Sequence, residues 1–134
     1  MKILHTSIAV KDMDESISFY CGVLGFELLR RRERPKSMME KRPESRREIA
    51  FIGDEDGTQI EFTCWKDREY LASGDELDHI ALAVPNMDEA MKTFKAKNVD
   101  IVREPFTRQG STGRTAFVRD PNGIWLEIIE RKQS

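Results

Sequence analysis

Two histidines occupy equivalent places in a repeated stretch of the chain. Residues 3–20 read ILHTSIAVKDMDESISFY, and residues 77–94 read LDHIALAVPNMDEAMKTF. When His5 is aligned with His79, an Ala-Val pair and a Met-Asp-Glu triplet also fall at matching places. The chain contains no other histidine. Because imidazole is the commonest metal ligand in proteins, its repetition predicts a shared chemical role for the two residues.

Two glutamates repeat in the same way. Glu61, in the sequence QIEFT, matches Glu127 in WLEII. Two imidazoles and two carboxylates suit a borderline divalent cation such as Zn²⁺, Ni²⁺ or Co²⁺, and an octahedral ion would keep two positions for water or substrate. Strand alternation puts these four residues on a face with small neighbours, namely Ser7, Ala9, Thr63, Ala81 and Ala83. The sequence therefore predicts an open, catalytic metal site formed by His5, Glu61, His79 and Glu127.

Each half of the chain has the pattern β-α-β-β-β, which predicts an α+β fold. Asp12 and Asn86 are good N-caps, each followed three residues later by a glutamate, and Gly25 and Asn98 can end the two helices. The predicted strands are residues 3–10, 26–29, 48–52, 58–64, 77–84, 99–103, 115–119 and 124–130. The 134 residues suit a single domain built from a module at 1–70 and a module at 75–134.

Bulk properties exclude several kinds of partner. The net charge of −2 gives no general attraction to nucleic acid or to membrane surfaces. The polar beginning of the chain is unlike a secretory leader, and no apolar run is long enough to span a bilayer. The two cysteines show no metal-binding or redox spacing, which is typical of free thiols in the cytoplasm.

One segment, Arg30–Arg47, is a run of charge with nine basic and three acidic residues. Pro35 and Pro43 interrupt it, so we expect the end of a strand that leads into an exposed loop. Such a loop is either a solvated surface segment or a positive lid over an anionic substrate.

Four segments of the chain carry a resemblance to a known family. They are LHTSIAVKDMDESISFYCGVLGFELLR at the start, QIEFT around Glu61, DHIALAV around His79 and AFVRDPNGIWLEIIE at the end. The chain resembles the vicinal-oxygen-chelate superfamily and, within it, the glyoxalase I enzymes. This resemblance implies two paired βαβββ modules that form an open, cup-shaped mixed sheet. It also implies a lyase that converts the hemithioacetal of a thiol and a 2-oxoaldehyde, such as methylglyoxal, to an S-2-hydroxyacyl thioester.

The resemblance also implies how the site residues act. His5, Glu61, His79 and Glu127 would hold one divalent ion per site, with Ni²⁺ favoured and Zn²⁺ or Co²⁺ as alternatives. The ion would chelate two vicinal oxygens, and a carboxylate would move a proton from C1 to C2. Glu127 is the main candidate for this base, with Glu61 as its counterpart. A homodimer is expected, with the site formed by one chain or shared by two.

Two departures from the glyoxalase I pattern concern the thiol. Ala9 stands where the glutathione-dependent enzymes have an arginine, and Trp65 stands where they have an asparagine. The thiol is therefore left open. Arg114 and the Arg30–Arg47 segment are candidates for the missing anion contact, and Trp65 and Arg114 are the predicted substrate-binding residues.

Three other functions within the same superfamily are alternatives for this chain. A methylmalonyl-CoA epimerase-like enzyme is disfavoured because Glu61 stands where those enzymes tend to have glutamine. An extradiol dioxygenase uses two histidines and one carboxylate, so a fourth ligand would crowd its open positions. A metal-free small-molecule-binding or resistance protein would have no need of all four ligand-type residues.

Overall fold

A computed structural model describes residues 1–36, 46–67, 78–107 and 109–132 of the chain. The chain divides into two compact units, Met1–Leu71 and Ala72–Ser134, called module 1 and module 2 below. Each module has the element order β-α-β-β-β, which confirms the predicted repeat. The predicted limits of the halves, 70 and 75, lie outside the described residues, and their union in a single domain stays a prediction.

Each module contains one helix and one four-stranded mixed sheet. The elements of module 1 are β1 (Thr6–Ala9), α1 (Met13–Ile17) with a π-helical continuation (Ser18–Val23), β2 (Glu27–Arg34), β3 (Arg47–Gly53) and β4 (Gln59–Trp65). Those of module 2 are β5 (Ile80–Val84), α2 (Met87–Ala96), β6 (Asp100–Thr107), β7 (Arg114–Arg119) and β8 (Trp125–Glu130). The strand orders are β1-β4-β3-β2 and β5-β8-β7-β6. In each sheet the first and last strands pair in parallel and the other pairs are antiparallel, so the predicted α+β class with mixed sheets is confirmed.

The helix ends follow the predicted signals. The Asp12 carboxylate accepts a hydrogen bond from the Glu15 backbone N–H at 2.8 Å, and the Asn86 side chain accepts one from Glu89 at 3.0 Å. After the two helices the chain turns at Gly25 (φ +83°) and at Asn98 (φ +55°), both in the left-handed region. No helix in the described ranges is long and apolar enough to cross a membrane.

Apolar side chains fill the helix side of each sheet. In module 1 the fully buried Tyr20 packs its ring 4.9 Å from that of Phe62 on β4. Module 2 buries Met87 and Phe94 of α2 and Leu126 of β8. Because side chains alternate along a strand, the residues next to Phe62 and Leu126 project from the opposite face. Glu61 and Glu127 are among these residues.

Two strands are longer than the sequence predicted. β2 continues through Arg34, so the segment does begin with the end of a strand, although this strand extends beyond the predicted limit at residue 29. Arg47 already belongs to β3. The rest of that segment, residues 37–45, lies outside the described residues. β6 runs to Thr107 through Pro105, beyond the predicted strand end at residue 103. Both are outermost strands of their sheets, and such strands tolerate like charges and a proline because one backbone edge is unpaired.

Candidate active site

Each module holds one histidine–glutamate pair at the same place in the scaffold. His5 directly precedes β1 and His79 directly precedes β5, although both were predicted inside their strands. Glu61 lies on β4 and Glu127 on β8. In the parallel pairing the residue opposite Glu61 is Ser7, two residues after His5, and the residue opposite Glu127 is likewise two residues after His79. The two pairs are therefore equivalent by strand register.

The donor atoms of each pair face one another. His5 Nε2 lies 3.7 Å from Glu61 Oε2, and His79 Nε2 lies 3.0 Å from Glu127 Oε2. The histidine side chains are 36% and 38% exposed, whereas the glutamate side chains are only 16% and 10% exposed. Two ligands bound to one ion at about 2.1 Å each lie roughly 3 Å apart when they are at right angles. The 3.0 Å spacing of His79 and Glu127 therefore matches that of adjacent ligands of a divalent cation, and His5 and Glu61 present the same donor atoms at the wider spacing of 3.7 Å.

Hydroxyl groups hold the carboxylate of Glu61. The Ser7 hydroxyl donates to Glu61 Oε1 at 3.1 Å, and the Thr63 hydroxyl donates to the same oxygen at 3.2 Å. Glu61 is thus fixed through Oε1, while Oε2 faces His5. The equivalent positions in module 2 are Ala81 and Ile129, which have no hydroxyl group.

In module 2 it is the histidine that has an additional carboxylate partner. His79 Nδ1 lies 2.7 Å from Asp78 Oδ1, and this hydrogen bond fixes which ring nitrogen faces Glu127. The hydrogen bond to Asp78 raises the pKa of His79, and the negative charge of Glu127 raises it further. His5 meets the ring of Phe51 edge-on instead, with centroids 5.1 Å apart. The two imidazoles are therefore positioned by different chemistry.

The predicted substrate-binding residues lie in contrasting places. Trp65 ends β4 on the same face as Glu61, and the guanidinium of Arg47 lies 5.4 Å from its ring centre. Arg114 begins β7 on the face opposite to Glu127, because its neighbour Thr115 shares the Glu127 side. The substrate contacts of Trp65 and Arg114 stay predictions, and only Trp65 shares a face with a candidate ligand.

Two carboxylates bind the guanidinium of Arg114. It donates to Asp88 at 2.9 Å and to Glu130 at 3.2 and 3.3 Å. Asp88, and after it Glu130, raise the pKa of Arg114 above its ordinary range. These contacts join the first turn of α2 to β7 and β8, which gives Arg114 a structural role.

Neither pair is a complete set of metal ligands. In residues 1–36, 46–67, 78–107 and 109–132, no three or more His, Cys, Asp or Glu side chains form a group that could hold a metal ion. Each pair supplies two donors, so a four-ligand centre requires both pairs, and that centre stays a prediction. Sequence reasoning missed the hydrogen bonds of Ser7 and Thr63 and the contact of Asp78. Strand alternation already put both hydroxyls on the Glu61 face, and this was the available signal.

A family model for the Glyoxalase/Bleomycin resistance protein/Dioxygenase superfamily matches residues 2–128. The chain therefore belongs to this superfamily, as its resemblance to the vicinal-oxygen-chelate proteins predicted. Curated relatives and solved structures narrow the class further.

The chain is 36% identical to a probable lactoylglutathione lyase of Vibrio cholerae, across 99% of this chain and 93% of the relative. It is 27% identical to maize glyoxalase I, with a TM-score of 0.82. The match covers 99% of this chain but only 46% of the maize chain. It is 29% identical to the trypanothione-dependent glyoxalase I of Leishmania major, with a TM-score of 0.73. The match covers 97% of this chain and 86% of the Leishmania chain. These similarities confirm the predicted class, a lyase that resembles glyoxalase I.

Proposed function

We propose that this chain converts the hemithioacetal of a 2-oxoaldehyde, such as methylglyoxal, to an S-2-hydroxyacyl thioester. The observation that carries the proposal is the histidine–glutamate pair repeated at one register position of two modules. The name lactoylglutathione lyase, given to the bacterial relatives, describes a thioester of this kind. The proposed reaction moves one proton between two neighbouring carbons, and a positioned carboxylate can perform that transfer.

The proposed metal ligands are His5, Glu61, His79 and Glu127. Their imidazole nitrogens and carboxylate oxygens suit Ni²⁺, which we favour, and also Zn²⁺ or Co²⁺. When bound, the ion would supply a Lewis acid that stabilises negative charge on the substrate oxygens. In each pair the histidine is more exposed than the glutamate, so a substrate can approach the pair from the side of the imidazole.

Glu127 is the proposed base. Its side chain is nearly buried, which shields the proton it carries from exchange with water. We therefore assign to Glu127 the removal of the proton from C1 and its return to C2. Glu61, whose Oε1 is held by two hydroxyls, has the fixed role of a ligand.

We further propose that the protein acts in the cytoplasm as a homodimer. The ligand pairs that complete a centre come from one chain or from two chains of the dimer. Sedimentation equilibrium tests the oligomeric state, with a mass of twice 15.5 kDa expected.

A turnover assay tests the function. The protein is stripped with a chelator, then assayed on methylglyoxal hemithioacetals of glutathione and of other thiols, before and after addition of Ni²⁺, Co²⁺ or Zn²⁺. We expect activity to vanish on chelation and to return with at least one ion. Failure with every thiol and every ion contradicts the proposal. In that case epimerisation of 2-methylmalonyl-CoA and metal-dependent thermal shifts distinguish an epimerase from a metal-free binding protein.

A further inference from the structure

The outermost strand of module 1 presents arginines on the same face as Glu61. Arg30 lies opposite Phe51, and Phe51 lies opposite Glu61. One row further along the sheet, Arg32 lies opposite Ile49. Residues directly opposite one another in a sheet point to the same side. Arg30 and Arg32 therefore face the side of the sheet that carries the candidate ligands.

These two arginines have no carboxylate to neutralise them within the part of the chain that the structure describes. Both are exposed, and the Arg30 guanidinium lies 3.8 Å above the Phe51 ring. Alternate residues of a strand are about 7 Å apart, so two positive charges are held close together. By contrast, Arg31 on the other face binds both Asp14 and Glu48. β2 therefore pairs its helix-side arginine and leaves the site-side arginines available to an anion.

Module 2 shows that the scaffold does not require this arrangement. Arg103 of β6 lies opposite Phe117, so it is the equivalent of Arg30. In the place of Arg32, opposite Thr115, module 2 has Phe106. The Arg103 guanidinium lies 3.6 Å from the centre of the Phe106 ring. The same backbone position thus carries an aromatic partner in one module and a second positive charge in the other.

We propose that Arg30 and Arg32 form an anion site for carboxylate groups on the thiol portion of the substrate. Neighbouring strands are about 4.8 Å apart, so the backbone of Arg30 lies roughly 10 Å from that of Glu61. The Arg30 guanidinium extends from that backbone over the ring of Phe51, so a ligand with its reacting carbon near Glu61 can place a carboxylate against it. Guanidinium groups bind carboxylates with two parallel hydrogen bonds. This inference rests on the proposed function. The arginines of β2 would replace the arginine that glutathione-dependent enzymes have at the position of Ala9.

Kinetics of an Arg32→Gln variant test the site. We expect KM for the glutathione hemithioacetal to rise about three- to tenfold, with kcat nearly unchanged, because an exposed ion pair contributes only modestly to binding. For the hemithioacetal of a neutral thiol, 2-mercaptoethanol, KM should not change. Arg32→Lys should recover part of the loss. Lys92→Gln, which removes an exposed positive charge from α2, should behave like wild type.

Calorimetric binding separates failure of this inference from failure of the proposed function. The probes are S-methylglutathione and its dimethyl ester, which lacks the two carboxylates. Wild-type protein should prefer the acid, and Arg32→Gln should lose most of that preference. If that result appears without turnover of any hemithioacetal, the anion site stands and the reaction is wrong. If turnover appears but acid and ester bind equally, or Arg32→Gln matches Lys92→Gln, the anion site is wrong.

Discussion

The two modules share a backbone plan but support their site residues in different ways. Module 1 fixes its glutamate, because Ser7 and Thr63 both donate to Glu61 Oε1. Module 2 fixes its histidine, because Asp78 binds the Nδ1 of His79. Strand register determines where the donor atoms lie, and it is the same in both. The side chains that contact these donors differ between the modules.

A second difference concerns how each helix is fastened to its sheet. In module 1 Arg31 of β2 bridges Asp14 of α1 and Glu48 of β3. In module 2 Arg114, which occupies the position equivalent to Glu48, bridges Asp88 of α2 and a carboxylate of β8. Both modules therefore join the first turn of the helix to the sheet through a carboxylate–guanidinium–carboxylate bridge. The arginine comes from the outermost strand β2 in module 1 and from β7 in module 2, and the sheet carboxylate comes from β3 and from β8, respectively.

The largest expected difference between the modules is catalytic. Glu127→Gln should lower kcat by about 10²- to 10⁴-fold, since the amide cannot accept a proton from carbon. Glu61→Gln should retain more activity, because the proposal gives Glu61 a ligand role only. Steady-state kinetics with metal content measured for each variant make the comparison. Equal losses of kcat at equal metal content would show that the two glutamates share the proton transfer.

A smaller effect should separate the supporting residues. Loss of a group that orients a metal ligand typically weakens metal affinity about 10-fold or more. We expect a loss of this order for the double variant Ser7→Ala/Thr63→Val, measured by competition with a chromogenic chelator. Asp78→Asn should weaken metal affinity only about two- to threefold, because the Asp78 side chain is 95% exposed and water screens its contact with His79.

Thr6→Val is the matched control for this comparison. It removes an exposed hydroxyl from the other face of β1, so its metal affinity should equal that of wild type. The asymmetry between the modules is refuted if the Ser7/Thr63 double variant also retains wild-type affinity. A larger loss in Asp78→Asn than in the double variant would reverse the assignment of the more firmly held donor.

The smallest expected effect is on stability and depends on pH. Arg114, and after it the backbone N–H of Met87, lower the pKa of Glu130 below its ordinary value of 4.5. Folding therefore favours the ionised carboxylate, and its stabilising contribution is complete above pH 4.5 and is lost as the pH falls through the lower, folded-state pKa. Glu130→Gln should be less stable than wild type near neutral pH, and the difference should shrink in acid.

Urea unfolding midpoints measured from about pH 7 down to about pH 3 test this dependence. Glu55→Gln changes an exposed carboxylate in the turn before β4 and is the control. Parallel curves for wild type and Glu130→Gln would rule out the bridge as a source of pH-dependent stability.

The sequence predicted most of the scaffold because the repeat supplied each element twice. The N-cap of Asp12 and the left-handed turn at Asn98 depend on local interactions, and local signals identify them. The alternation of side chains along β4 also correctly predicted that Glu61 and Phe62 lie on opposite faces of the sheet. Each of these features is specified within a few residues of chain.

The features that the sequence did not reveal depend on residues distant in the chain. The charge of Arg30–Arg34 did not reveal how far the strand continues, and only pairing with β3 shows that it has two different faces. Pro105 normally argues against a strand, but β6 is outermost and its register shifts accommodate the ring. The hydrogen bond between Ser7 and Glu61 joins residues 54 positions apart. A pattern read along one segment cannot contain such contacts.

The outermost strands also differ in how they resist association with other chains. On β2 the repulsion between arginines opposes the approach of a second strand, whereas on β6 Pro105 lacks the N–H that an added strand would need. Charge repulsion weakens as salt shortens its range, from about 10 Å at 0.1 M to about 3 Å at 1 M. The missing N–H does not depend on solution conditions. In concentrated salt, strand-to-strand association should therefore increase at β2 and not at β6.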